Sequence, residues 1–93
     1  MRKEAQYTYI SSATSTQVAT GSGTLYAIVL GETAAGAISI IDGTSGSTAN
    51  IGTLKSSIAE GTYLFGDGGI RFSSGLRIVT AAGSKLTVIW AQS

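Results

Sequence analysis

The chain is expected to be all-β, a single antiparallel β-sandwich, jelly-roll-like, of about seven to eight strands with an extended N-terminal arm. Three observations lead there. β-Branched and aromatic residues gather in short alternating runs, and Gly-, Ser- and Thr-rich breaks separate them about every ten residues. Helical periodicity is nearly absent: its best stretch, 54–60 with Leu54 and Ile58 four apart, is short and lies between Gly52 and Gly61. The connections are also too short for crossover helices, which excludes parallel βαβ units. Residues 1–16 are expected as the arm and 17–93 as the sandwich.

The first run, 7–10, puts Tyr7 and Tyr9 on one face and Thr8 and Ile10 on the other. A weak run follows around 17–20. Residues 24–30 form the first strong strand, with Leu25, Ala27 and Val29 alternating with Tyr26, Ile28 and Leu30. Both its faces are apolar, so both must be covered, by this chain or by a neighbour. A second strong strand, 37–42, turns Ile38 and Ile40 inward, with Ile41 as the exception, and stops at Asp42-Gly43. The loop 44–50 is small and polar, and 51–54 reads as a short edge strand. Tyr63 and Phe65 share one side of 62–65, before the turn Gly66-Asp67-Gly68-Gly69. Ile70 and Phe72 share a face of the next run, and Ser74-Gly75 leads into 76–80 with Leu76 and Ile78 inward. After a turn at 81–84, Leu86, Val88 and Trp90 face the core from the last strand. These last three runs are expected to form a meander of hairpins.

Composition excludes several functions. The 93 residues hold no His, Cys or Pro, which removes disulfides, zinc fingers, thiol catalysis and His-dependent mechanisms. Six basic and five acidic residues leave a net charge of +1, too small a surplus for a nucleic-acid binder that neutralises many phosphates. No apolar run is long enough to span a membrane. The N-terminus lacks the apolar stretch of a signal peptide, so synthesis in a cytoplasm, starting near Met1, is expected.

No enzyme is expected either. Asp42, Asp67, Glu32, Glu60 and Glu4 stand in separate turns or strand ends rather than as a facing carboxylate pair. Asp42 and Asp67 each precede a glycine, where Asp commonly opens a turn. The loop 42–50 offers oxygen donors but only one carboxylate and no EF-hand pattern, so a plain loop outweighs a calcium site, and no cofactor or metal is assigned. The glycine pairs do not open helices, so they serve turns rather than phosphates. Arg71 and Arg77, placed on adjacent strands, are open to two readings, a solvated outer face or an interface contact. Trp90 with Tyr63 is the one aromatic pair that suits a sugar platform, in an accessory module of a tail or fibre binding a glycan or host-surface ligand.

Charged residues make up only 12% of the chain, so its exterior is expected to be largely hydroxyls and small residues, interrupted by apolar side chains such as Ile28, Leu30, Ile41 and Ile89. Neutral hydroxyls lose less on leaving water than ions do. Such a surface fits one hidden in a permanent assembly, and a homotrimer or higher oligomer is expected. The residues assigned to a partner interface are Tyr7, Tyr9, Arg71, Arg77, Ile41 and Ile89.

The segments Gly23-Thr-Leu-Tyr-Ala-Ile-Val-Leu, Gly36-Ala-Ile-Ser-Ile-Ile-Asp-Gly-Thr-Ser, Gly61-Thr-Tyr-Leu-Phe-Gly, Ile70-Arg-Phe-Ser-Ser-Gly-Leu-Arg-Ile and Leu86-Thr-Val-Ile-Trp carry a resemblance. In this order they resemble the small β-sandwich virion proteins of tailed bacteriophages, among them capsid decoration (cement) proteins and related head or tail accessories. The resemblance covers residues 23–90. It implies a structural role in the virion, with copies seated on a shell of major capsid protein and strengthening it. It also allows the N-terminal arm to add a strand to a neighbour's sheet.

Overall fold

The computed structural model describes residues 5–12, 14–32, 35–46, 50–65, 68–80 and 83–92. Glu4, Asp67, Gly66, Ala81 and Ala82, all part of the sequence expectations, lie outside the described residues. Nine strands follow in order: β1 (Gln6–Ile10), β2 (Ser15–Thr20), β3 (Gly23–Glu32), β4 (Ile38–Asp42), β5 (Gly52–Leu54), β6 (Gly61–Leu64), β7 (Ile70–Phe72), β8 (Gly75–Thr80) and β9 (Lys85–Gln92). Where helical spacing was strongest, at 54–60, the chain leaves β5 and turns at Ser56-Ser57.

The strands form two antiparallel sheets in a β-sandwich-like arrangement. The larger, sheet A, runs β1-β9-β3-β6, with β7 also paired to β3, and the smaller, sheet B, runs β2-β8-β4-β5. β3 has ten residues, enough to take two short strands end to end along one edge: β6 against Ala27–Leu30 and β7 against Gly23–Leu25. Gln6–Ile10, within the segment expected as an arm, pairs with β9 along its whole length, and Ile10 enters the core.

One core lies between the sheets. Sheet A supplies Ile10, Leu25, Ile28, Leu30, Phe72, Leu86, Val88 and Trp90, and sheet B supplies Ala19, Ile38, Ile40, Leu54, Leu76 and Ile78. Tyr63 and Phe65 pack against its edge. These are the residues that period-two alternation turns inward, with one correction. Strict alternation sets Leu25 opposite to Ile28 and Leu30, yet all three are in the core. The register against β9 slips between Leu25 and Ala27, so Tyr26 is the extra residue of a bulge and the faces exchange there.

The expected closing meander is also corrected. β7 belongs to sheet A, β8 to sheet B and β9 to sheet A, so the chain crosses between sheets at each turn. Hydrogen bonds organise the first crossing. The Asp42 carboxylate, at the end of β4, accepts the backbone N–H of Ser73 (3.0 Å), Ser74 (2.9 Å) and Gly75 (3.4 Å), and the Ser73 hydroxyl (3.2 Å). Gly43 N–H donates to the Gly75 carbonyl and Gly21 N–H to the Ser74 carbonyl, both at 3.0 Å. A side chain on Gly75 would sit 2.8 Å from the Ala19 carbonyl and 2.9 Å from that of Gly43, so this corner closes only around glycine.

Neutral polar side chains tie two other crossings. The buried Thr80 hydroxyl donates to the Ser12 carbonyl (2.6 Å) and accepts from the Thr14 N–H (3.1 Å), fixing the passage from β1 to β2. Gln92 donates to the Thr20 and Ser22 carbonyls, both at 2.8 Å, holding the turn from β2 to β3. Gln17, beside a second register slip in β2, donates to the Ala19 (2.8 Å) and Gly43 (2.9 Å) carbonyls. At these corners a chain with few charges is satisfied through hydroxyls, amides and the Asp42 carboxylate.

Asp42 makes that corner sensitive to acid. The N–H groups of Ser74 and then Ser73 hold its carboxyl below the ordinary value of 3.8, against a smaller upward push from burial. Because the folded value is the lower one, the stabilisation is complete above the unfolded pKa and is lost as pH falls through the folded one. Asp42→Asn should therefore lower stability by about 0.5–1.5 kcal/mol at neutral pH, solvent screening keeping the loss small. It should also flatten the fall in stability below about pH 4. Thermal melts of both proteins from pH 2.5 to 7 check this, and curves of equal slope at the acid end would contradict it.

Candidate interface on the outer face of the larger sheet

Because Trp90, Val88 and Leu86 point into the core, Ile89 and Thr87 point away from it. Register then places two rows straight across sheet A. One runs Tyr7, Ile89, Ala27, Leu64, and the other Tyr9, Thr87, Val29, Thr62. The first row is apolar from edge to edge, and its ends stand far into solvent, Tyr7 at 76% and Leu64 at 75% exposure. Ile89 and Val29 are half-buried and Ala27 is covered by its neighbours. Tyr9 is 58% exposed.

Among the described residues, charge on this surface is found toward its ends. Arg71 lies in register with Thr24 toward one end and is exposed. At the other end Glu32 and Lys85 form an ion pair at 3.6 Å, with side chains 60% and 48% exposed. A pair this open contributes about 0–1 kcal/mol and leaves the rim nearly neutral. Between it and Tyr9 lies a depression of about 270 Å³, lined also by Val29, Thr87 and Gly31.

Sequence reasoning had assigned six interface residues, and the structure gathers four of them here: Tyr7, Tyr9, Ile89 and Arg71. Arg77 and Ile41 are elsewhere, in register with each other on sheet B. Arg71 and Arg77 are therefore not neighbours, a correction that follows from the crossing between β7 and β8. Arg77 donates from Nε to the Gly46 carbonyl (2.8 Å) and from Nη1 to Gln17 Oε1 (3.3 Å). Ile41 is 3% exposed. Leu64 is not among the six, although the alternation that puts Tyr63 and Phe65 on one side leaves the leucine between them on the other, which the structure turns to solvent.

The sugar-platform pair is corrected too. Trp90 is 7% exposed and its Nε1 donates to Thr8 Oγ1 (3.1 Å), while Tyr63 packs on the core with its hydroxyl donating to the Ala59 carbonyl. With Trp90 buried, the two rings do not form a platform. Among the described residues, no three acidic side chains converge on a point that would hold a metal ion. The one carboxylate of the 42–50 loop is engaged by the 73–75 turn, and residues 47–49 of that loop lie outside the described residues. Searches of family models, of curated proteins and of solved structures find no match to this chain.

Proposed function

We propose that this chain is a structural subunit of a larger assembly, most specifically a capsid decoration protein that seats the outer face of sheet A on a viral shell. One observation carries the reading: an apolar row crosses four strands with its two largest side chains about three-quarters exposed. Contiguous apolar surface of this kind marks a place where another macromolecule binds. The strand order supports a jelly-roll topology, since β1-β9-β3-β6 over β2-β8-β4-β5 is the pairing of an eight-stranded double Greek key, with β7 as an addition beside β3. The virion setting rests on the resemblance of residues 23–90 to phage sandwich proteins. In such a setting many copies act together, and avidity compensates for modest single contacts.

Leu64→Lys tests the face. Its side chain is exposed, so stability should change by no more than about 0.5 kcal/mol. Burying a leucine contributes about 1.5–3 kcal/mol, so binding per contact should weaken by roughly 10- to 100-fold. Co-sedimentation with purified heads of the virus that carries the gene reads this directly. Heads that retain the wild type and lose Leu64→Lys support the proposal. Heads that retain neither, or both equally, overturn it.

A further inference from the structure

The four sheet margins differ in how well their strands are protected against pairing with another chain. β5 has three residues. β6 and β7 divide their edge into pieces of four and three, with Arg71 in the second. β2 is bent by its register slip at Gln17/Ala19. β1 has none of these protections. It runs Gln-Tyr-Thr-Tyr-Ile without charge, proline or slip, and among the described residues only β9 pairs with it.

The same five residues are nearly symmetric about Thr8. In antiparallel pairing about a two-fold axis there, residue i meets residue 16 − i of the other copy, and the two always share parity. Shared parity means that the outward backbone N–H and C=O groups of both strands meet, and that side chains on the outer face meet one another. Tyr7 then lies opposite the second copy's Tyr9, and Tyr9 opposite its Tyr7, while Thr8 stays turned toward its own Trp90. From 5 to 11 no charged residue is brought against another.

We infer that β1 is a homodimerisation edge, pairing antiparallel with the β1 of a second copy about a two-fold axis at Thr8. The two five-stranded sheets become one continuous sheet, and four tyrosines cluster at the seam, each copy's apolar row continuing into the other copy's Tyr9 row. This deepens the proposed function, resting on it only in that the chain acts as multiple copies. A two-fold pair closes on itself. Larger assemblies then use a second surface, for which the outer face of sheet A remains available.

Engineered cysteines test the register, since the native chain has none. Directly opposed residues have Cα atoms about 4.5–5.5 Å apart, within disulfide reach. Residue 7 and the second copy's residue 7 are offset by two positions, about 8 Å apart, which is beyond that reach. Tyr7→Cys and Tyr9→Cys are both at exposed positions. Under mild oxidation each alone should cross-link slowly, whereas an equimolar mixture should yield dimer at least ten-fold faster, with the 7–9 linkage identified by peptide mass. Equal rates in all three samples, or a wild type that remains monomeric by light scattering at 100 µM (a concentration on the order of a weak dimer's Kd), overturn the inference. Leu64→Lys should leave this dimer intact, so failure of the edge and failure of the docking face give different results.

Discussion

Phe72→Ala is expected to destabilise the protein by about 3–5 kcal/mol. The ring is fully buried and is the largest side chain to be so. It also sits on a three-residue strand that, among the described residues, is paired with Gly23–Leu25 alone. A domain of this size has about 5–14 kcal/mol in all. The variant should therefore be near the margin of folding, with a melting temperature more than about 12 °C lower. Phe72→Leu, which keeps most of the volume, should lose about 1–1.5 kcal/mol. Urea titrations followed by Trp90 fluorescence give both numbers, and a loss below 1 kcal/mol for the alanine variant would contradict the core assignment.

Gly23→Ala should approach the same scale by the opposite route, overpacking. Gly23 opens β3 between β7 and β9, in register with Phe72 and Gln92. A Cβ there would collide with the Ala91 carbonyl oxygen and stand 2.5 Å from Phe72 Cζ. A backbone carbonyl within a ladder cannot withdraw without breaking pairing, so the expected cost is about 3 kcal/mol. The two sites also couple. In a Phe72→Ala background the ring collision is gone and the carbonyl collision remains, so Gly23→Ala should be milder there by about 1 kcal/mol or more. Additive losses in the double-mutant cycle would show that the ring and Gly23 do not meet.

The positions of the strands were legible in the sequence because alternation is a local property. Leu86, Val88 and Trp90 are spaced by two, and any sheet that buries one buries all three. The same logic placed Ile38, Ile40, Leu76 and Ile78 correctly and put Tyr7 and Tyr9 on one face, which the structure turns to solvent. It failed at Tyr26, because a bulge has no local signature in a run apolar on both faces, and its position is set by the partner strand.

The candidate site was legible in part. Tyr7, Tyr9 and Ile89 were singled out as apolar residues without an evident place in the core, and the structure adds that registers across three ladders align Tyr7 and Ile89 with Ala27 and Leu64. Asp42 was read as a turn residue, which is the right kind of role at the wrong turn. Its acceptors serve the backbone of 73–75, more than thirty positions away.

By itself, then, the order of residues determined which segments extend, which side chains in most of them turn inward, and that the exterior would be poor in charge. Only the tertiary structure decided that β7 and β8 part company into different sheets, which separates Arg71 from Arg77 and composes the apolar row on sheet A. The physical reason is range. A strand's two faces follow from its own pleat, whereas its neighbours follow from hydrogen bonds and close backbone approaches between distant segments. Here those are the Asp42 carboxylate gripping the 73–75 turn and the packing of Gly23 and Gly75 against facing carbonyls.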